Sequence, residues 1–232
     1  MTLKTILDDV LLESGMSTES AYAASGNDAV KRLVRLANRS VGTLTRYAWQ
    51  ALRATHEFTL TTDTSYPLPD DYRAIVPDTF FTDGRLDNVD FPADTEMWNY
   101  LQASTGANGV AVRVRLLGDT LVVYQPDAGE VLRFEYLTKY PVLAADGTTK
   151  KAEFTADTDT WILDRDLLIF DIVWRYKKLM GLQDWQIDLA ESKAYQNTLK
   201  GQEAGSKTIY PDSGDGSSVP FYDMWRAVPN VP

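Results

Sequence analysis

"SYPLPDDYRAIV", residues 65–76, places two prolines and two aspartates between an alternating segment and an apolar one. Pro67 and Pro69 donate no backbone hydrogen bond, so they belong at a strand end or a sheet edge. Together with Asp71 and Tyr72 they form a predicted structural hinge. Because a proline has a fixed φ angle, this hinge loses little entropy when it carries the chain from helices into β structure.

The segment upstream of the hinge has a helical period. A short apolar stripe from Leu3 to Leu11 predicts one helix, which Gly15 ends. Asn27 or Asp28 caps a second, longer helix, which is predicted to run to about Leu52.

The polar face of this second helix carries a row of arginines: Arg32, Arg35, Arg39 and Arg46. The row is consistent with a solvated helix face, with a surface that binds DNA phosphate, or with a surface that meets acidic groups of a neighbouring subunit. Arginines and aspartates are interspersed throughout a chain of net charge −10, which favours subunit contacts. We therefore predict an inter-subunit role for these four arginines.

The chain between the two helical parts has the period of β-strands. Residues 56–61 alternate apolar and polar side chains, and "VAVRVRLLGDTLVVYQP" (110–126) predicts a hairpin with a two-residue turn at Gly118-Asp119. Helix returns at about Asp164 in a strongly apolar segment, predicted to be buried on more than one side as far as Met180. A last helix is expected from about Gln183 to Glu203.

This order of elements predicts an α+β protein with helices at both ends of the chain. Residues 1–54 and 160–205 are expected to form a helical bundle, and residues 55–159 a β-rich insertion, either a barrel or a sandwich. Residues 206–232 are rich in Gly, Ser and Asp and then in aromatics and prolines, which predicts an extended C-terminal arm.

The arm has no helical or strand period, yet it carries large apolar side chains. These are Phe221, Tyr222, Met224 and Trp225. One interpretation is that the segment folds back onto its own bundle. We favour docking on another subunit with the aromatics as anchors, because the polar spacer lets them reach beyond their own domain.

Composition and motifs point away from catalysis. The chain has no cysteine and one histidine, His56, so a zinc centre is not expected, and it lacks the common phosphate-binding and hydrolase motifs. No catalytic residue, metal or cofactor is predicted. Paired carboxylates such as Asp157 and Asp159 leave a glycoside hydrolase as an alternative. Neither a signal peptide nor a membrane span is expected.

Three segments resemble the head-to-tail adaptor (head completion or connector) proteins of tailed bacteriophages. They are "AVKRLVRLANRSVGTLTRYAWQALR", "HEFTLTTDTSYPLPDDYRAIV" and "DRDLLIFDIVWRYKKLMGLQDW". Within the second, the residues that match the family's Tyr, Leu-Pro, Asp-aromatic and Arg segment are Tyr66, Leu68, Pro69, Asp71, Tyr72 and Arg73. The resemblance covers roughly residues 3–205 in layout.

The resemblance implies a structural virion protein at the head-tail interface, assembled in the host cytoplasm. Such proteins form a ring, typically of twelve copies, below the portal protein. The ring extends the DNA channel, lets genomic DNA pass without specific binding, and provides the platform for tail, nozzle or tail-fibre proteins. The arm would reach the portal. A virion-associated peptidoglycan hydrolase and a tail-terminator-type ring protein are the alternatives.

Overall fold

The computed structural model describes residues 1–83, 89, 91, 95–103, 112–124, 126 and 128–203. Within them the α-helices are α1 (Leu3–Glu13), α2 (Asp28–Leu44), α3 (Thr95–Ala103), α4 (Arg165–Met180) and α5 (Trp185–Glu203), and a 3-10 turn covers Gln50–Leu52. The strands are β1 (Arg53–Thr59), β2 (Ser65–Pro67), β3 (Tyr72–Ile75), β4 (Phe81–Thr82), β5 (Arg113–Leu117), β6 (Thr120–Tyr124), β7 (Val131–Thr138), β8 (Val142–Leu143), β9 (Lys150–Lys151) and β10 (Thr160–Trp161). This mixture of helices and antiparallel sheets confirms the α+β class.

The described strands form three antiparallel sheets. In the large sheet β7 is central, with β1 along one side and β3 and β4 sharing the other. In the hairpin sheet β6 lies between β2 and β5, and in the small sheet β8 lies between β9 and β10. Leu117 pairs with Thr120 across a turn in which Gly118 has φ 59°, which confirms the predicted two-residue turn.

The two faces of the large sheet differ in chemistry. Leu132, Phe134 and Tyr136 of β7 are buried on one face. On the other face Arg133 Nε lies 2.7 Å from a carboxylate oxygen of Glu57 across the β1–β7 pair. A shift of one residue would exchange the two faces, so this alternation fixes the register.

The buried apolar side chains form two clusters. The helical cluster combines α1, α2 and α4 with side chains of the chain between β8 and β10, such as Phe154. The β cluster combines the large sheet with the hairpin sheet. Val76 and Leu137, at the ends of β3 and β7, belong to the helical cluster, so the large sheet contacts both clusters. The predicted division into domains at residues 54 and 159 stays a prediction, as does the choice of barrel or sandwich.

Helix α2 ends earlier than the sequence predicts. Its cap is Asn27 as expected, but the helix stops at Leu44, so the predicted continuation to about Leu52 is wrong. The Trp49 indole folds back and donates to the Leu44 carbonyl oxygen at 2.8 Å. The guanidinium of Arg73 in β3 binds the carbonyl oxygen of Thr45. Side chains thus satisfy the orphan carbonyls at this end of the helix.

Helix α4 is the centre of the helical part, since α1, α2 and α5 all pack against it. The Asp164 side chain caps its first turn, and Gly181 ends it with φ 72°. The expectation of burial as far as Met180 is wrong for the last turn. Leu179 and Met180 are 50% and 49% exposed, because the buried positions of α4 end at Val173.

Candidate partner-binding surfaces

The outer face of α2 carries exposed arginines. Arg32, Arg35 and Arg39 lie on the helix, and Arg46 follows just beyond its end. They point outward because the opposite stripe of α2 packs into the helical cluster. Within the part of the chain that the structure describes, none of these four guanidinium groups has an ion pair or a side-chain hydrogen bond. We call Arg32, Arg35 and Arg39 the basic face.

Other arginines of the chain are paired within the protein. Arg165 lies 2.5 Å from a carboxylate oxygen of Asp9 in α1. Arg175 Nε lies 2.8 Å from a carboxylate oxygen of Asp171, one turn earlier in α4. The contrast indicates that the basic face is not needed to neutralise charges of its own subunit.

A groove of about 250 Å³ opens between α1, α4 and α5. We call it the acidic groove; its lining residues are Glu13, Phe170, Val173, Asp188 and Glu191. Burial raises the pKa of the Glu13 carboxyl, nearby carboxylates raise it further, and Lys177 opposes them. Lys177 Nζ is 2.8 Å from Asp188 Oδ1. Glu13 and Glu191 have no ion pair among the described residues.

The sequence did not predict this groove. Its carboxylates come from three helices, and no local spacing connects Glu13 with a residue about 180 positions later. A usable signal existed only within α5, where Asp188 and Glu191 are three apart and therefore on one helix face.

A second missed feature is an apolar patch at the turn between α4 and α5. Four exposed apolar side chains lie within nine residues of the chain: Leu179, Met180, Leu182 and Ile187. Ile187 is 70% exposed. Two rings flank the turn, Trp174 and Trp185, with their centroids 6.5 Å apart. Clustered exposed apolar side chains are typical of surfaces that contact other proteins.

The predicted hinge connects the hairpin sheet to the large sheet. The expectation that it carries the chain from helices into β structure is wrong, because β1 precedes it and β2 leads into it. Pro67 ends β2, and the turn that follows is closed by the Tyr72 N–H, which donates to the Pro69 carbonyl oxygen at 2.9 Å. Tyr72 begins β3. The carboxylate of Asp71 accepts hydrogen bonds from Tyr136 Oη at 2.7 Å and Thr138 Oγ1 at 2.9 Å. These contacts tie the hinge to the end of β7.

The environment of Asp71 holds its carboxylate in the charged form. Burial raises the pKa of Asp71, but the hydrogen bonds from Tyr136 and Thr138 and the charge of Lys150 outweigh it, so the pKa lies below its ordinary value. Arg73, two residues later, extends toward the end of α2, where it donates to the carbonyl oxygens of Thr45 and Tyr47. Asp71 and Arg73 therefore connect the hinge to β7 and to the end of α2.

Asp157 and Asp159, the carboxylates that a glycoside hydrolase would use, bind the protein's own backbone. Asp157 accepts from the N–H of Tyr22 at 3.0 Å and of Ala23 at 2.7 Å, and so fixes the chain between α1 and α2. Asp159 is 1% exposed, and its carboxylate lies 2.7 Å from Lys151 Nζ.

The pKa of Asp159 does not suit a general acid. Burial raises the pKa, but the Lys151 hydrogen bond and the backbone N–H groups of Thr155 and Ala156 outweigh burial, so the pKa lies below its ordinary value of 3.8. A catalytic acid requires the opposite shift.

His56 lies on β1, half-buried between the rings of Phe58 and Phe134. Burial lowers its pKa from the ordinary value of 6.5, and the charge of Asp71 opposes the shift. No group of three or more His, Cys, Asp or Glu side chains within the described ranges is arranged to hold a metal ion. Nor does any helix in those ranges have the length and apolar character needed to cross a membrane.

The predicted arm and its anchors Phe221, Tyr222, Met224 and Trp225 lie outside the described residues. The last described residue, Glu203, ends α5, and its carboxylate accepts from the Gln50 N–H at 2.6 Å. The chain therefore leaves the described part beside the 3-10 turn that precedes β1.

Comparison with known proteins gives one family. A family model described as SU10 adaptor protein matches residues 1–216 of the 232 residues. The match spans all the described helices and strands. No curated protein matches the chain.

Proposed function

The chain belongs to the SU10 adaptor protein family of phage head-to-tail adaptors, and we propose that it forms a ring below the portal. The family is a structural one and not an enzyme family. In the proposed role each copy contacts the portal on one side and tail or nozzle proteins on the other, and the closed ring, of twelve copies, extends the DNA channel.

The observation that carries the proposal is the unpaired basic face. Arg32, Arg35 and Arg39 are exposed and have no carboxylate partner among the described residues. A closed ring requires that one surface of each copy meet a different surface of the next. Exposed arginines without internal partners supply one of the two surfaces, because arginine is well suited to interface ion pairs.

The charge of the whole chain supports a channel that does not retain DNA. The net charge is −10, and tight binding to DNA requires lysine and arginine contacts to phosphate. In the proposed ring the arginines are used between copies, so the acidic remainder is available to line the channel and repel the passing genome.

The hinge and the arm have separate roles in this proposal. Pro67, Pro69, Asp71 and Tyr72 fix the course of the chain within the β-rich insertion, where Asp71 binds Tyr136 and Thr138 of β7. Arg73, directly after the hinge, binds the carbonyl oxygens of Thr45 and Tyr47 and so orients the insertion on the helical bundle. The arm after residue 205 carries its aromatic anchors to the portal, for which its polar spacer gives enough reach.

The test is a mass measurement of the purified protein, alone and mixed with the portal protein of the same phage. We expect a defined ring on the portal, whether the protein alone is monomeric or oligomeric. A chain that stays monomeric in the presence of the portal and never binds it contradicts the proposal. Electron microscopy of the complex then gives the number of copies.

A further inference from the structure

The basic face and the acidic groove lie on separate helices of the helical part. The buried stripe of α2, opposite the basic face, packs into the helical cluster together with α4. The basic face is therefore directed away from α4. The described residues that line the acidic groove belong to α1, α4 and α5, and none belongs to α2. One copy thus presents the two surfaces separately.

The acidic groove has more negative charge than its own subunit neutralises. Lys177 is engaged by Asp188 Oδ1, and the second oxygen of Asp188 is buried without a hydrogen-bond partner among the described residues. Glu13 and Glu191 have no ion pair there. A cation from outside would relieve the repulsion among these groups.

The two surfaces also match in spacing. Arg35 and Arg39 are one helical turn apart, a rise of about 6 Å. Asp188 and Glu191 are also about one turn apart on α5, a rise of about 4.5 Å. Two guanidinium groups at this spacing fit a pair of carboxylates, and each such pair supports bidentate hydrogen bonds.

We infer that the basic face of one copy docks into the acidic groove of the next copy, with Arg35 and Arg39 facing the carboxylates of Asp188 and Glu191 on α5, beside Glu13 of α1. This inference rests on the proposed ring and names the surfaces that close it. The occupant is a second copy of this chain because both complementary surfaces belong to one subunit and lie on separate parts of it, the outer face of α2 and the groove between α1, α4 and α5. Such a head-to-tail contact repeats from copy to copy, as a ring requires.

The first test is a charge-reversal cycle on the portal-bound ring. The basic-face variant (Arg35→Glu and Arg39→Glu) and the groove variant (Glu13→Lys and Glu191→Lys) are each expected to lower ring formation by at least about tenfold, since like charges oppose association. The variant with all four changes is expected to recover to within about threefold of the unmodified protein, because the charges are again complementary. If the variant with all four changes forms rings as poorly as the basic-face variant and the groove variant, the inference is overturned.

The second test uses the absence of native cysteines. Copies with Arg35→Cys are mixed with copies with Glu191→Cys, rings are formed on the portal, and oxidation is followed by non-reducing electrophoresis. We expect a cross-linked dimer of the two variants. The matched control replaces the groove cysteine with Thr59→Cys, which is exposed on β1, and should give no cross-link above background. This test remains decisive where a charge reversal prevents folding.

The outcomes separate this inference from the proposed function. If rings form on the portal but positions 35 and 191 do not cross-link, the docking contact is wrong and the proposed ring still stands. Unmodified protein that forms no ring on the portal overturns the proposed function and the docking contact together.

Discussion

Asp157 and Asp159, the two carboxylates that a hydrolase of this chain would use, both hold backbone amides in place. Each accepts two main-chain N–H groups, and Asp159 is also paired with Lys151. Acidic residues in polar loops commonly serve this purpose, since a carboxylate satisfies several backbone donors at once. Their geometry supports a structural role for both aspartates.

Asp159→Asn is expected to lower the free energy of unfolding by about 2–4 kcal/mol, because it removes one member of a largely buried ion pair. Urea denaturation followed by circular dichroism measures the change. Asp184→Asn is the matched control, since Asp184 is exposed and its carboxylate has no partner in the described part of the chain; it should leave stability unchanged. Equal effects of the two substitutions would argue against the structural role.

The contribution of histidine to the pH dependence of stability can be measured at a single residue, because His56 is the one histidine in the chain. Its pKa is lower in the folded protein than the ordinary 6.5, so the unfolded chain binds the proton more tightly. Stability should therefore fall as pH decreases through 6.5 toward the folded pKa. Between pH 7.5 and pH 5.5 the free energy of unfolding is expected to decrease more for the unmodified protein than for His56→Gln, as measured by denaturant unfolding at both pH values. An identical loss in both proteins contradicts this assignment.

The helices and turns that the sequence predicted correctly are determined by residues close together in the chain. The apolar stripe of α1, the Asn27 cap of α2 and the turn at Gly118 all depend on residues within a few positions. The end of α2 depends on Arg73, from a strand almost thirty residues later, which no helical period reveals. The acidic groove likewise combines three helices, so it required the tertiary structure.

Two glycines separate the effect of backbone conformation from that of helix propensity. Gly181 ends α4 with φ 72°, whereas Gly42 lies within α2, and a Cβ at either would meet no atom within 4 Å. Gly181→Ala is expected to cost about 1–2 kcal/mol, because alanine disfavours the left-handed region. Gly42→Ala is expected to stabilise by about 0.5–1 kcal/mol, because alanine is the better helix former. Thermal unfolding of both variants checks the opposite signs; changes of the same sign would contradict the reasoning.

The connection between the helical cluster and the β cluster is polar as well as apolar. Arg73 binds carbonyl oxygens beyond the end of α2, while Val76 and Leu137 enter the helical cluster from the large sheet. Burial lowers the pKa of Arg73 below its ordinary value, yet its hydrogen bonds to carbonyl oxygens require only the donor N–H groups. Arg73, Val76 and Leu137 thus orient the large sheet on the helical part, which a ring subunit with contacts on several sides requires.

Deleting residues 206–232 is expected to leave this arrangement intact and to abolish docking on the portal. All the described members of both hydrophobic clusters lie before position 200, so the truncated chain keeps them, and its thermal unfolding midpoint is expected to change little. The full-length variant with Phe221→Ala and Trp225→Ala is the matched control, because it keeps the spacer and loses two anchors; we expect portal affinity to fall at least about tenfold. Portal affinity of all three proteins is measured by surface plasmon resonance. Truncated protein that binds the portal as tightly as the complete chain would remove the arm from the docking mechanism.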